Sequence, residues 1–238
     1  MIIEKIIAGW KSQKYKPVYW LQGEEEYYID QLMSYAEHSL LTPAEAEFNL
    51  TIFYGKDANW TEVINACMRY PMFSQKQVVL LKEAQQMKEI EKLGGYLENP
   101  LLSTILVISY KGKTLDKRKS LAKTLNKHSE IVISEKIYDS KLNAWATDLV
   151  QLQGLTIAPR AVNLLVDHIG NDLSRIANEV EKVTMNLGHR KNITEDDVEN
   201  YVGISKEYNV FELQQAISNK DLAKAITIIQ YFEANPKA

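Results

Sequence analysis

Residues 17–30, PVYWLQGEEEYYID, decide how the rest of the chain is interpreted, because they place a strand, a glycine and a helix in succession. Val18 to Leu21 form an apolar run of strand size that leads into Gly23. From Tyr28 onward the apolar residues recur at helical spacing. A strand followed by a tight turn and a helix opens a β-α-β unit, so we expect the chain to begin with an α/β domain.

Four more strand-sized runs follow, and a helical pattern separates each strand from the next. The runs are residues 48–53, 78–81, 104–108 and 131–133, and the helical patterns are residues 28–40, 60–68, 87–97 and 115–125. This alternation predicts a five-stranded, mainly parallel sheet with helices on both faces. After Tyr138 the pattern becomes entirely helical, which predicts a small helical bundle.

The composition is that of a globular protein. Of the 238 residues, 45% are hydrophobic and 25% are charged, which excludes wholesale disorder. The formal net charge of −3 excludes a general polyanion binder, so any contact with nucleic acid must be local. No apolar run approaches the length of a membrane span and the first residues lack the features of a signal peptide. We therefore expect a cytoplasmic protein with no membrane partner.

Metal and disulfide chemistry are not expected. Cys67 is the only cysteine in the sequence, which excludes an internal disulfide and any site built from several cysteines. The four histidines lie far apart along the chain, without the spacing of a metal-binding motif. The sequence therefore predicts neither a metal site nor a cofactor.

The first strand lacks the residues that bind phosphate. In a parallel α/β sheet, function is expected at the carboxyl ends of the strands. A nucleotide-hydrolysing domain needs GxxxxGK[ST] there, but Gly23 is followed by Glu24, Glu25 and Glu26, which would repel phosphate. The third strand leads into Lys82 and Glu83 rather than a pair of acids for magnesium. We predict a nucleotide-binding architecture with no catalytic residues; a nucleotide-dependent enzyme with an unorthodox phosphate site remains the alternative.

Several segments together resemble the delta subunits of bacterial DNA polymerase III, the clamp-opening subunits of the clamp loader. They are residues 17–25, 48–57, 71–74, 111–119, 170–173 and 207–213. The resemblance implies an AAA+-type (RecA-like) α/β domain at residues 1–137 without a functional phosphate loop. It also implies a helical lid-like domain at residues 138–205 and a helical collar that starts at residue 206. Because the family's collar would continue beyond Ala238, we expect it to be truncated here.

The same resemblance implies a function. Delta subunits bind the beta sliding clamp and open its ring for loading onto primed DNA, and they work with the ATPase subunits gamma or tau and with delta prime. They have no catalytic activity of their own, although the holoenzyme is classed with the DNA-directed DNA polymerases, which are nucleotidyltransferases. A hydrophobic plug on the first domain grips the clamp, and the matching positions here are Met72 and Phe73, flanked by Tyr70 and Met68. The family often carries glutamine where Met68 stands. Spacing alone favours packing of Met72 and Phe73 inside their own domain, and the resemblance reverses that preference.

A local basic segment stands out within this acidic chain. Between residues 111 and 127, seven basic residues oppose one acid, Asp116. The candidates for contact with DNA or a neighbouring subunit are Lys111, Lys113, Lys117, Arg118, Lys119 and Lys123. A solvated helix face explains the same charges, whereas phosphate contact would make this chain a non-catalytic DNA-binding scaffold, the second alternative.

Overall fold

The computed structural model describes residues 2–202, 210–218 and 222–234. The chain divides into two compact units, Met1–Tyr138 and Asp139–Ala238. The predicted start of a collar at residue 206 lies outside the described residues, as do residues 207–209 of the segment 207–213.

Five parallel strands form the sheet of the first unit, in the order β2-β3-β4-β1-β5. The strands are β1 (Val18–Gly23), β2 (Leu50–Tyr54), β3 (Gln77–Lys82), β4 (Thr104–Lys111) and β5 (Glu130–Ser134). β1, β3 and β4 lie in the middle of the sheet and are almost wholly buried, as their continuous apolar runs require. The predicted five-stranded parallel sheet is confirmed.

Helices cover both faces of this sheet. They are α1 (Ile2–Lys11), α2 (Glu26–Ser39), α3 (Pro43–Asn49), α4 (Trp60–Cys67), α5 (Gly94–Leu97) and α6 (Ser120–His128). Successive strand residues point to opposite faces, so Trp20 packs in one core with α4, α5 and α6, and Leu21 packs in the other with α1 and α2. The predicted two-sided packing is therefore confirmed.

The second strand begins later than predicted. Residues 43–49 form the helix α3, and β2 starts only at Leu50, so Phe48 and Asn49 belong to the last turn of a helix. Thr42 and Glu45 form a capping box, in which the Glu45 carboxylate accepts a hydrogen bond from the Thr42 backbone N–H at 3.0 Å. Pro43 occupies the first turn of the helix, where it needs no hydrogen-bond partner for its nitrogen.

Two predicted helices are shorter than their patterns. Residues 87–97 form a 3-10 turn, Ile90–Leu93, followed by the single turn α5, because Glu89 adopts a left-handed φ of 55° that interrupts any helix. The helix predicted to start at Leu115 starts at Ser120. Leu115 is buried in the preceding loop, where its backbone N–H donates to Gln22 Oε1 at 2.9 Å.

The second unit is mainly helical. Its helices are α7 (Leu142–Leu152), α8 (Pro159–Ile169), α9 (Leu173–Asn186), α10 (Glu195–Val202), α11 (Val210–Ser218) and α12 (Leu222–Ala234). The entirely helical pattern missed one small parallel pair, β6 (Thr156–Ile157) with β7 (Asn192–Ile193). Arg190 forms a bidentate ion pair with Asp197, and its hydrogen bonds lower the pKa of that carboxyl to about 2.

Within the described ranges, no helix is long and apolar enough to cross a membrane. Over the same residues, no three histidine, cysteine, aspartate or glutamate side chains are grouped closely enough to hold a metal ion.

The turn after β1 depends on the missing side chain of Gly23. Gly23 has a φ of 140°, and an added Cβ would lie 1.9 Å from the Ser134 carbonyl oxygen. We expect Gly23→Ala to lower the free energy of unfolding by about 3 kcal/mol or more, because backbone atoms on two strands must separate. Urea unfolding followed by tryptophan fluorescence measures this change.

Gly95→Ala is the matched control, since a Cβ at Gly95 in α5 meets nothing within 4 Å. There we expect no loss and a gain of up to about 1 kcal/mol, from the better helix propensity of alanine. Equal effects of the two substitutions would show that the contact between Gly23 and Ser134 carries no special constraint.

Candidate functional site

The carboxyl end of β1, where nucleotide-binding domains hold phosphate, is closed by the chain itself. The Glu25 carboxylate accepts a hydrogen bond from the Tyr27 backbone N–H at 3.1 Å and thereby caps α2. Ser134 fixes Glu25 from the other side, because its Oγ donates to the Glu25 carbonyl at 2.7 Å. The positive end of the helix dipole therefore already faces a carboxylate of this chain, in the place where phosphate would bind.

Ion pairs occupy the cleft beside that turn. The cleft has a volume of about 480 Å³ and lies at the carboxyl ends of β2, β3 and β4. Lys82 Nζ lies 2.6 Å from Glu37 Oε2, and Lys111 Nζ lies 2.7 Å from Asp30 Oδ1. Both lysine charges are thus neutralised by carboxylates of α2, which leaves this cleft poorly suited to triphosphate.

The predicted basic segment is partly neutralised as well. Beyond the pairing of Lys111, Arg118 Nη2 lies 2.9 Å from Asp116 Oδ2, and Lys119 Nζ lies 2.6 Å from Glu91 Oε1. The hydrogen bonds from Arg118 lower the pKa of the Asp116 carboxyl, and the bond from Lys119 lowers the pKa of Glu91.

The other three predicted residues of this segment are solvent-exposed. The ammonium group of Lys113 lies 5.6 Å from the centre of the Tyr110 ring. Lys117 and Lys123 are exposed on the loop before α6 and on α6 itself. The surface charge available to a partner is therefore smaller than the sequence suggests.

Exposed apolar side chains gather at the opposite edge of the sheet. Met68, Tyr70, Met72 and Phe73 all lie on the segment that links α4 to the amino end of β3, and all four are exposed. Phe73 is 93% exposed and Met72 is 54% exposed, so neither packs in the interior of its own unit.

Phe48, from the last turn of α3, lies beside this segment. Its ring is exposed and meets the Phe73 ring edge-on, with 6.5 Å between ring centroids. We define the apolar surface as Phe48, Met68, Tyr70, Met72 and Phe73.

Asn49 fixes the backbone of this surface. Its side chain is buried, and its Oδ1 accepts a hydrogen bond from the Met72 N–H at 2.7 Å while its Nδ2 donates to the Met72 carbonyl at 2.8 Å. A primary amide that bonds both groups of one residue substitutes for a neighbouring strand. Met72 is therefore held in place although its own side chain is free to contact a partner.

The two ends of the segment are anchored too. At the β3 end, Ser74 Oγ donates to Glu45 Oε1 at 2.8 Å, and hydrogen bonds from Thr42 and Ser74 lower the pKa of the Glu45 carboxyl. At the α4 end, the Cys67 carbonyl accepts a hydrogen bond from Thr104 Oγ1 at 2.7 Å. Burial raises the pKa of the Cys67 thiol to about 12, so it packs as a neutral side chain and is no nucleophile.

Phe73 carries backbone strain. Its φ of 55° lies in the left-handed region, which costs a non-glycine residue about 1–3 kcal/mol. Strain of this kind persists only where the surroundings fix the backbone, and here the bonds to Met72 and Ser74 on either side do so. An exposed phenyl ring on a strained and anchored turn is typical of a binding residue.

The sequence patterns missed two residues of this site. The alternating pattern predicts a strand at Phe48, whereas the capping box of Thr42 and Glu45, with Pro43 between them, is a local signal for a helix. Asn49 gave no signal, because its partner Met72 is 23 residues away in the chain.

Comparisons with known proteins agree with this architecture. Residues 19–135 match the family model described as DNA polymerase III, delta subunit. The DNA polymerase III subunit delta of Bacillus subtilis is 28% identical over 232 residues, which cover 92% of this chain and 67% of that protein. The probable DNA polymerase III subunit delta of Aquifex aeolicus is 25% identical over 225 residues, covering 89% of this chain and 62% of that protein. This chain thus spans about two thirds of the length of these relatives.

Solved structures show the same fold. The Bacillus subtilis DNA clamp loader delta protein superposes with a TM-score of 0.71 at 24% identity, covering 99% of this chain and 73% of that one. The Thermotoga maritima RuvB branch migration motor superposes with a TM-score of 0.50 at 11% identity, covering 92% of this chain and 76% of that one. Both likenesses confirm the predicted AAA+-type fold. With the family match over most of the sheet-bearing unit, they lead to one conclusion: this chain is similar to the delta subunits of DNA polymerase III over nearly its whole length.

Proposed function

We propose that this protein is the non-ATPase subunit of a clamp loader that binds the beta sliding clamp through the apolar surface and opens the ring for loading onto primed DNA. The observation that carries the proposal is the exposure of Met72 and Phe73 on a backbone that Asn49 holds in place. The resemblance noted in the sequence assigns clamp binding to these same two positions.

Pre-organisation explains how a small surface could grip a ring strongly enough to open it. A fully buried methionine or phenylalanine side chain contributes about 1.5–3 kcal/mol. Ordering a flexible loop on binding would consume much of that gain. Because the segment is already anchored on both sides of Met72, most of the gain remains available to stabilise the open clamp.

The remaining steps belong to the proposed partners. ATP binding by the gamma or tau subunits uncovers the apolar surface, the clamp is held open, and primed DNA with ATP hydrolysis releases it. Delta prime completes the assembly, which works in the cytoplasm. In this scheme residues 138–205 are the lid-like domain, residues from 206 onward start the collar, and Lys113, Lys117 and Lys123 contact DNA or a neighbouring subunit.

Truncation of the two central side chains tests clamp binding. We expect Met72→Ala/Phe73→Ala to weaken the Kd for the clamp of the same organism by about thirtyfold or more, which corresponds to about 2 kcal/mol. The loss follows from removing both apolar anchors while the backbone bonds to Asn49 remain. Surface plasmon resonance with immobilised clamp measures it.

Leu152→Ala/Met185→Ala is the matched control, since it removes two comparably exposed apolar side chains from the other compact unit. It should leave clamp affinity unchanged. An unchanged Kd for the Met72 and Phe73 variant would move the clamp contact away from the apolar surface.

Asn49 is expected to act as a positioning residue. Asn49→Ala removes no exposed apolar area, yet we expect about fivefold to tenfold weaker clamp binding, because the Met72 segment must then be ordered on binding. The loss should disappear when Asn49→Ala is added to the Met72→Ala/Phe73→Ala variant, as a double-mutant cycle measures. An additive loss in that cycle would show that Asn49 affects binding independently of Met72 and Phe73. The control is Asn126→Ala, which removes an asparagine side chain from an exposed face of α6.

Nucleotide titration separates this proposal from a nucleotide-dependent enzyme. We expect no saturable binding of Mg-ATP up to millimolar concentration, because the Glu25 carboxylate caps α2 and Lys82 and Lys111 are paired with acids. Isothermal titration calorimetry measures this, with a phosphate-loop ATPase run in parallel as the positive control. Saturation in the micromolar range would support the enzyme instead.

A further inference from the structure

An open cleft adjoins the apolar surface. It has a volume of about 830 Å³ and lies between the ends of α1 and α2, the start of α3 and the segment that enters β3. Phe73 forms part of its wall, and so do Ser74 and Lys76. A protein seated on Phe73 would therefore stand at the mouth of this cleft.

The charges in the cleft are unbalanced. Lys11 and Lys76 both line it and, among the described residues, neither forms an ion pair. The one carboxylate in the lining belongs to Glu45, and its oxygens accept hydrogen bonds from Thr42 and Ser74. Neither ammonium group is paired with that carboxylate, and the lining keeps a net charge of +1 that attracts an anionic group from outside.

The aromatic rings of the cleft are unsuited to nucleic-acid bases. Trp10 stacks on Tyr35 with 5.7 Å between ring centroids, and the ammonium group of Lys76 lies 5.1 Å above the Tyr15 ring. A base-stacking platform needs a series of free ring faces. Each of these three rings already has one face covered, and among the rings that line the cleft the exposed one is that of Phe73, at the border with the apolar surface. The lining favours a peptide that carries carboxylates over single-stranded DNA.

We propose that this cleft receives an acidic peptide segment of the same partner protein that takes the apolar surface. The inference rests on the proposed function, because the partner is the clamp. Continuity with Phe73 places the two contacts side by side, and the lysines complement a carboxylate. Opposite charges at the edge of an interface set its orientation and its rate of association, so the cleft fixes how the clamp sits on the apolar surface.

Charge reversal tests the inference on the whole chain with the intact clamp. We expect Lys11→Glu/Lys76→Glu to weaken clamp binding by about tenfold at low salt, mainly through slower association, and the loss to shrink as salt rises. Lys56→Glu/Lys88→Glu is the control: it makes the same change in net charge on exposed lysines that line neither cleft, and should alter affinity by less than about twofold. The milder Lys11→Gln/Lys76→Gln variant should show a smaller loss with the same salt dependence, and thermal unfolding verifies that each variant is folded.

Three results would overturn the inference while the proposed function stands. In the first, Lys11→Glu/Lys76→Glu binds the clamp as tightly as the wild type does. In the second, the cleft pair and the control pair lose the same amount of clamp affinity. In the third, Lys11→Glu/Lys76→Glu loses affinity for a primed DNA oligonucleotide and keeps its affinity for the clamp. Failure of the proposed function gives a different pattern, because the wild-type chain then shows no clamp binding, or binding that ignores Met72→Ala/Phe73→Ala. That pattern overturns the cleft assignment as well.

Discussion

The close approach of Gly23 to Ser134 is the constraint on which the arrangement of the first unit depends. β1 lies between β4 and β5, and its last residue must fit against the backbone of β5 without a side chain. The chain then turns so that the Glu25 side chain caps α2. The backbone N–H and the carbonyl of Glu25 both form hydrogen bonds with Ser134. This tight contact therefore joins β1, β5 and the start of α2, and it also fills the place where a nucleotide-binding domain would hold phosphate.

Closure of that edge leaves the apolar surface, where we propose that the partner binds, at the opposite edge of the sheet. Parallel sheets usually present their functional groups at the carboxyl ends of the strands, but here the exposed apolar residues precede β3. At the carboxyl edge the charged side chains pair with one another, as Lys111 does with Asp30, so these charges hold elements of the fold together. The amino edge carries exposed apolar side chains that do not pack in the core of the unit, among them Phe73.

The architecture was largely predictable because hydrophobic periodicity reports local structure. All five strands and the two-sided packing followed from alternating apolar runs and helical patterns. The errors fell where a local feature opposed the periodicity: the cap at Thr42 extended a helix into the strand pattern before Leu50, and the left-handed backbone of Glu89 broke a helical pattern. The pairing of the basic segment was not visible in the sequence, because acids that pair with it, such as Glu91 and Asp30, lie elsewhere in the chain.

The sequence by itself determined the alternation of strands and helices, the lack of a phosphate-binding motif after β1 and the resemblance that points to Met72 and Phe73. Exposure of those side chains was decided only by the tertiary structure, since the same spacing suits a buried turn. Asn49 bonds Met72 across 23 residues and Lys111 pairs with Asp30 across 81 residues. Contacts of that range leave no periodic signal, because they form only when the sheet brings distant segments together.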